Sequence, residues 1–262
     1  ERRGTVLLAI DCGNTNIVFA LFDNEALRGQ WRASSKSDRT ADEVGVWLAQ
    51  LLDMEGIDRR KVGGAIIASV VPSAVFGLKL LCRRFFGCEA LVVGEPNVTL
   101  GLRVLMEQPQ EVGADRLVNA VAGHAAYPGP LTIIDFGTAT TFDVVDATGN
   151  YCGGVIAPGI NQSLAALHMA AAQLPLVAVG RPEQVIGTST VSAMKSGIFW
   201  GYVGMMEGLV RRIDTEFGQP TTVIATGGLA SLFKETTPII HHHDPDLTIR
   251  GLFEIYQRNA AL

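Results

Sequence analysis

Cysteine is scarce, and its spacing makes no motif. The four thiols, Cys12, Cys82, Cys88 and Cys152, form no Cys-x-x-Cys pair, which excludes the common zinc modules. No signal-peptide pattern is evident, so reduced thiols in a cytoplasmic protein are expected. Positive charge is not in excess. The net charge is −5 at pH 7, and basic residues adjoin only at Arg59-Arg-Lys61, Arg83-Arg84 and Arg211-Arg212, so nucleic acid is not an expected partner. A membrane span is not expected either. The stretch from Ala193 to Val210 is interrupted by Lys195 and Glu207, short of the roughly 18 apolar residues a span requires. Three catalytic signatures are missing as well: Gly-x4-Gly-Lys-Ser/Thr, Gly-x-Gly-x-x-Gly and Gly-x-Ser-x-Gly. Their absence excludes a P-loop, a dinucleotide fingerprint and a nucleophile elbow.

What is present is enough apolar material for a sizeable core, 48% of 262 residues, and a repeat. Asp11-Cys-Gly-Asn-Thr-Asn16 and Asp135-Phe-Gly-Thr-Ala-Thr-Thr141 share an Asp-x-Gly start followed by a cluster of Thr and Asn in the first and of Thr in the second. Each follows a β-rich run, Val6–Ile10 or Leu131–Ile134, and leads into another that ends in Asp, Ile17–Asp23 or Phe142–Asp146. A hairpin turn explains one such loop, since Asp, Gly and Asn are ordinary turn residues. A near-copy in the second half shifts the reading toward function. Glycine lets backbone approach an anion, and turn N–H groups form an anion-binding concavity. Asp11 is therefore assigned to hydrated Mg²⁺ beside a triphosphate, Gly13, Asn14 and Thr15 to phosphate contacts, and Thr138 to phosphate from the second loop. Two such loops facing each other could hold a nucleotide triphosphate between two domains. Thr226-Gly-Gly228, between a strand and a helix, fits a nucleoside contact.

Gly113-Ala-Asp-Arg116 is the second acid-bearing motif. Asp115 in the first turn of a helix offsets the helix dipole; alternatively it acts as general base on an alcohol, with the Arg116 fork binding a carboxylate. Thr190 opens a helix, and capping accounts for it equally well.

The order of elements is α/β. Thr40-Ala-Asp-Glu43 is a capping box that opens a helix running to about Met54. Ala65–Val71 is a buried strand ended by Pro72, and a helix from about Ser73 to Phe86 stops at Gly87. Ala90–Val93 is a strand, and helices are expected over about Ser163–Ala172, Thr190–Ile213 and Leu247–Arg258. Glycines 197, 201, 204 and 208 make one stripe on the second of these, packed in the core or at a subunit contact. His241-His-His243 is read as a solvated loop rather than a metal site.

Together these residues resemble the type III pantothenate kinases, within the acetate and sugar kinase/Hsp70/actin superfamily. The resemblance runs through Leu8–Val18, Arg39–Glu43, Ser69–Pro72, Glu111–Arg116, Asp135–Asp143, Ala157–Gly159, Thr226–Gly228 and Asp244–Thr248. It implies two related actin-like (ribonuclease H-like) α/β domains, residues 1–117 and 118–262, with an ATP cleft between them; whether the last helix returns to the first domain stays open. It implies ATP-dependent phosphorylation of the primary hydroxyl of pantothenate, the first step of coenzyme A synthesis. Asp115 matches the family's proton acceptor, and Gly113, Ala114, Asp115, Arg116 and Thr190 its pantothenate contacts. Asp11, Cys12, Gly13, Asn14, Thr15, Asn16, Ile17, Val18 and Thr138 match its ATP contacts, joined by Gly227 and Gly228. Asp135 matches the residue that holds a monovalent cation, K⁺ or NH₄⁺. A homodimer is implied. The chain departs from the pattern at Met106, where many members place a substrate-touching Tyr, and at Gln173, where many have Lys. Competing readings are a nucleotide-binding regulator on the same fold and a kinase for another small hydroxy acid.

Overall fold

The computed structural model describes residues 6–35, 39–170, 175 and 177–260. The chain forms two compact units. One comprises Glu1–Leu102, Glu107–Ala122 and Leu247–Leu262; the other Arg103–Met106 and Gly123–Asp246.

The first unit is built on strands β1 (Val6–Cys12), β2 (Asn16–Asp23), β3 (Ala26–Ser34), β4 (Val62–Ser69) and β5 (Ala90–Val92), in the order β3-β2-β1-β4-β5. The side-chain alternation of β1 divides two cores. Leu8, Ile10 and Cys12 join Phe19, Leu48 and Leu81 under α1 (Ala41–Met54) and α2 (Pro72–Leu81). Leu7 and Ala9 join Val118, Val121, Leu252 and Ile255 under α3 (Ala114–Ala126) and α7 (Leu247–Ala260). A central strand covered on both faces must be apolar throughout, which is why β1 reads as a continuous hydrophobic run until Asp11. The capping box of α1 is present, with Thr40 Oγ1 accepting from Glu43 N and the Glu43 carboxylate accepting from Thr40 N at 2.7 Å. After α2 the chain makes one wide turn over Cys82–Phe86 and stops at Gly87, whose φ is 66°.

The second unit repeats the design. Its strands are β6 (Leu131–Phe136), β7 (Ala139–Val145), β8 (Tyr151–Pro158), β9 (Thr222–Gly227) and β10 (His242–His243). The order β10-β9-β6-β7-β8 is that of the first sheet read from the other edge, with the same antiparallel and parallel pairings. Ile134, Phe136 and Phe142 pack under α4 (Ile160–Ala170), α5 (Thr190–Phe217) and α6 (Ala230–Phe233), with the rings of Phe136 and Phe233 stacked at 5.2 Å.

Three expectations change. Edge strands β3 and β8 are not announced by the pattern, because an edge strand half-open to solvent needs little apolar alternation. Helix α5 runs one turn beyond Ile213, and α4 starts at Ile160; the expected end of α4 at Ala172, like Gln173, lies outside the described residues. The triple-histidine run is no solvated loop. His241 Nδ1 accepts from Val223 N at 2.8 Å, and His242 and His243 pair with β9 as its edge strand. Among the described residues no helix is long and apolar enough to cross a membrane.

Candidate active site

In the first unit, Asp11 and Cys12 end the middle strand of the sheet and pair with Val18 and Ile17. The turn between them is Gly13–Thr15, closed by Gly13 N donating to Asn16 O and tied to the edge by Ser35 N donating to Thr15 O, both at 3.0 Å. Asn14, Thr15 and Asn16 are exposed, while Asp11 and Gly13 are half-buried. The side chains of Cys12 and Ile17 lie in the core, and Val18 packs against the opposite core. Cys12 and Ile17 hold the loop from within the core, and Val18 is half-buried. Burial pushes the Cys12 thiol above its ordinary pKa; a hydrogen bond with Ser69 opposes this and the charge of Asp11 adds to it.

Asp115 stands in the first turn of α3, its Oδ1 accepting from Arg116 N at 2.8 Å. Burial raises its pKa above the usual carboxylate value, against the Arg116 N–H and the Arg116 charge, which lower it. Gly113 is where the carboxylate comes close to the backbone: a Cβ there would stand 2.7 Å from Asp115 Oδ1 and 3.5 Å from Val70 Cγ1. Val70 N in turn donates to Cys12 O at 3.1 Å. The end of β1 and Gly113 therefore both lie against Val70, the residue that follows β4. Sequence reasoning assigned that segment no role of its own, although Ser69-Val-Val-Pro72 carried part of the resemblance.

In the second unit, Asp135 stands where Asp11 stands in the first, one residue before the end of the middle strand. Gly137 N donates to Ala139 O at 3.1 Å and closes the turn, and Thr138 is exposed. Parallel pairing sets Asp135 beside Thr226 and Phe136 beside Gly227. Gly227 has φ 88°, and a Cβ on it would run into Asp135 Oδ1 and stand 2.7 Å from Phe136 N. The carboxylate thus fills space that only glycine leaves open. Gly228 faces open space. A Cβ at Gly159 would run into the Thr138 carbonyl, and the Tyr202 hydroxyl donates to Pro158 O, so Ala157-Pro-Gly159 is the floor of this loop.

Thr190 is the first residue of α5 and exposed, but the cap is Ser189, which exchanges hydrogen bonds with Ser192. The capping explanation for Thr190 therefore fails. Met106 is 36% exposed, next to Leu105, whose N–H donates to Tyr151 O at 2.8 Å. Sequence reasoning missed one group, Thr141 with Asp143 and Tyr151; the signal was a charged residue inside the apolar run Phe142-Asp-Val-Val145. Among the described residues no cluster of three or more His, Cys, Asp or Glu forms. Asp11 and Asp135 are carboxylates in turns whose other polar side chains are Thr and Asn, oxygen donors of the kind hard cations take.

Two α/β units with one strand order, each ending its middle strand in an Asp-x-Gly turn, define a two-domain protein of the actin-like fold class. A 2-dehydro-3-deoxygalactonokinase structure from Sinorhizobium meliloti shares the fold, with a TM-score of 0.56 at 12% identity over 96% of both chains. The family model for type III pantothenate kinase matches residues 7–212. Proteins described by that name are similar over nearly the whole chain. That of Paramagnetospirillum magneticum is 68% identical over 256 residues, covering 98% of each chain, and that of Rhodospirillum rubrum 63% over 254 residues, covering 97% and 99%. This chain belongs to the type III pantothenate kinase family.

Proposed function

We propose that Asp115 is the general base in the reaction of this enzyme, the ATP-dependent phosphorylation of pantothenate to 4′-phosphopantothenate that opens coenzyme A biosynthesis. The hydroxyl oxygen of pantothenate attacks the γ-phosphorus, the bond from phosphorus to the β,γ-bridging oxygen breaks, ADP leaves, and the hydroxyl proton passes to Asp115. The observation that carries this is the shared footing on Val70, against which Gly113 and the end of β1 both lie within one unit. A carboxylate whose pKa burial has raised is suited to accept a proton.

Gly113, Ala114, Thr190 and Met106 contact the substrate, and the Arg116 fork takes its carboxylate. The loop Asp11–Val18, with Thr138, Gly227 and Gly228, binds ATP through backbone N–H groups, hydroxyls and the open backbone of the glycines. As a kinase the enzyme uses ATP with a divalent metal; Asp11 would hold Mg²⁺ through water. Asp135 would hold a monovalent cation, K⁺ or NH₄⁺, and the cradle that Gly227 leaves open for its carboxylate supports this. These ions supply charge neutralisation on the phosphates.

The enzyme works as a cytoplasmic homodimer. Helix α5 supports the dimer: Gly197, Gly201 and Gly204 are exposed on one face, with nothing within 4 Å of where a Cβ would stand. A glycine row open to the outside favours the subunit-contact reading over the core one.

ADP release from ATP, Mg²⁺ and pantothenate, with and without K⁺, in wild type and Asp115→Asn tests the assignment. Pantothenate- and K⁺-dependent turnover lost in the variant is expected. Wild-type turnover that survives the substitution would remove Asp115 from the role of base.

A further inference from the structure

The face of the second sheet that carries Asp135 also holds a polar row that the phosphate loops do not explain. The register of β6 and β7 sets Asp135 opposite Thr141 and Ile133 opposite Asp143. Opposed residues of an antiparallel pair show their side chains on one face, with Cβ atoms about 4.5–5.5 Å apart. Asp143 is 0% exposed in an otherwise apolar run. It accepts from Thr141 Oγ1 at 3.1 Å and from the Tyr151 hydroxyl at 2.7 Å, and Tyr151 is itself fully buried. A buried carboxylate is expensive even when hydrogen-bonded, and apolar residues of similar volume often replace such a group at no loss of stability. Packing alone does not call for Asp143.

Chemistry does. A threonine hydroxyl has one proton and two lone pairs. With the proton engaged by Asp143, Oγ1 of Thr141 offers only lone pairs to its neighbour across the ladder. Such an oxygen repels a phosphate oxygen but suits a cation, and its neighbour is the carboxylate of Asp135. The same loop divides its hydroxyls accordingly, with exposed Thr138 assigned to phosphate and half-buried Thr141 turned into an acceptor.

We infer that Thr141 Oγ1 is a protein ligand, together with Asp135, of the monovalent cation, and that Asp143, clamped by Tyr151, is the positioning residue that fixes the hydroxyl proton. The inference rests on the assignment of the cation to Asp135.

Thallium NMR on the full-length protein, with Tl⁺ standing in for K⁺ and choline chloride holding the ionic strength, reads binding without turnover. Thr141→Val keeps the shape and removes the oxygen. Its dissociation constant for Tl⁺ should rise about tenfold or more, because losing a ligand should cost at least as much as losing a hydrogen-bonded partner of one. The K⁺ concentration for half-maximal turnover should rise in step, while the KM for pantothenate at saturating K⁺ stays put. Thr141→Ser should restore both. Asp143→Asn, whose amide can donate back to the hydroxyl, should move them in the same direction as Thr141→Val. Asp135→Asn separates the two layers of the argument. If it abolishes Tl⁺ binding while Thr141→Val binds as wild type does, the inference about Thr141 is wrong and the assignment of Asp135 stands. If Asp135→Asn also binds Tl⁺ like wild type, the assignment of Asp135 is wrong and the inference falls with it.

Discussion

Replacing Gly227 by alanine puts a methyl group into the tightest place beside Asp135. The residue has φ 88°, a conformation that costs an L side chain about 1–2 kcal/mol relative to glycine. The methyl would also run into Asp135 Oδ1 and stand 2.7 Å from Phe136 N and 2.8 Å from Phe136 C. Two of these three atoms are backbone of the middle strand and cannot swing away, so an overpacking penalty of about 1–3 kcal/mol adds to the first. Together they make a loss of about 2–5 kcal/mol, which for a chain of this size lowers the melting temperature on the order of 10 °C. Gly228→Ala is the matched control, since nothing lies within 4 Å of a Cβ there. It should change stability by no more than about 0.5 kcal/mol. If the nucleoside lies on Gly228, the same variant raises the KM for ATP roughly tenfold, the equivalent of about 1.4 kcal/mol. Differential scanning fluorimetry and ATP titrations on both variants decide the matter. A Gly227→Ala protein melting within about 2 °C of wild type, or a Gly228→Ala protein falling as far as it, would refute the account of this corner.

Asp115→Asn should cut turnover by roughly 10²–10⁴-fold, the span of general-base catalysis, with a small rise in melting temperature. Burial raises the folded pKa above the unfolded value, so the stabilising contribution of Asp115 is full at acid pH and lost as pH rises through the folded pKa. For the same reason the wild-type rate should fall with acid at a higher pH than an ordinary carboxylate would impose. Asp146 works the other way. Burial raises its pKa, but hydrogen bonds from Asn150 and Thr148 prevail and hold it at about 2. Its contribution is present above the usual carboxylate range and disappears as pH falls toward that value, and Asp146→Ala should remove this acid-side loss and about 1 kcal/mol of stability at neutral pH, read from urea melts. Gly201→Leu on the open face of α5 should leave the subunit folded but shift its elution to that of a monomer; a dimer that persists would place the subunit contact elsewhere.

Much of this was legible in the chain. The two Asp-x-Gly turns announced themselves because a turn needs Gly and Asp for local reasons, and local reasons survive in one-dimensional form. The capping box at Thr40, the stop at Gly87 and the buried strands beginning at Val6 and Leu131 were readable on the same ground. Edge strands β3 and β8 were not, because their partners lie elsewhere in the sequence and their solvent faces carry no pattern. The clash that fixes glycine at 227 depends on pairing between β9 and β6, which no spacing encodes. Asp143 was visible as an oddity, but its link to Tyr151 crosses a bulged pair of strands. The cap of α5 was misread by one residue, since Ser189 and Thr190 are equally good caps on paper and only the hydrogen bonds choose.

Helix α7 carries a consequence for how the protein is made. Ile249, Leu252 and Ile255 complete the core that Leu7 and Ala9 begin, so the first unit draws on both ends of the chain while the long segment Gly123–Asp246 belongs to the second. Domains of a growing chain usually fold from the N-terminus onward. Here that order is broken: α3 covers part of this face of the first sheet early, but the core is completed only by α7, after the whole of Gly123–Asp246 has been made. A stop near Asp246 would remove α7 and with it Ile249, Leu252 and Ile255, so the first unit should lose stability while the second keeps all five of its strands.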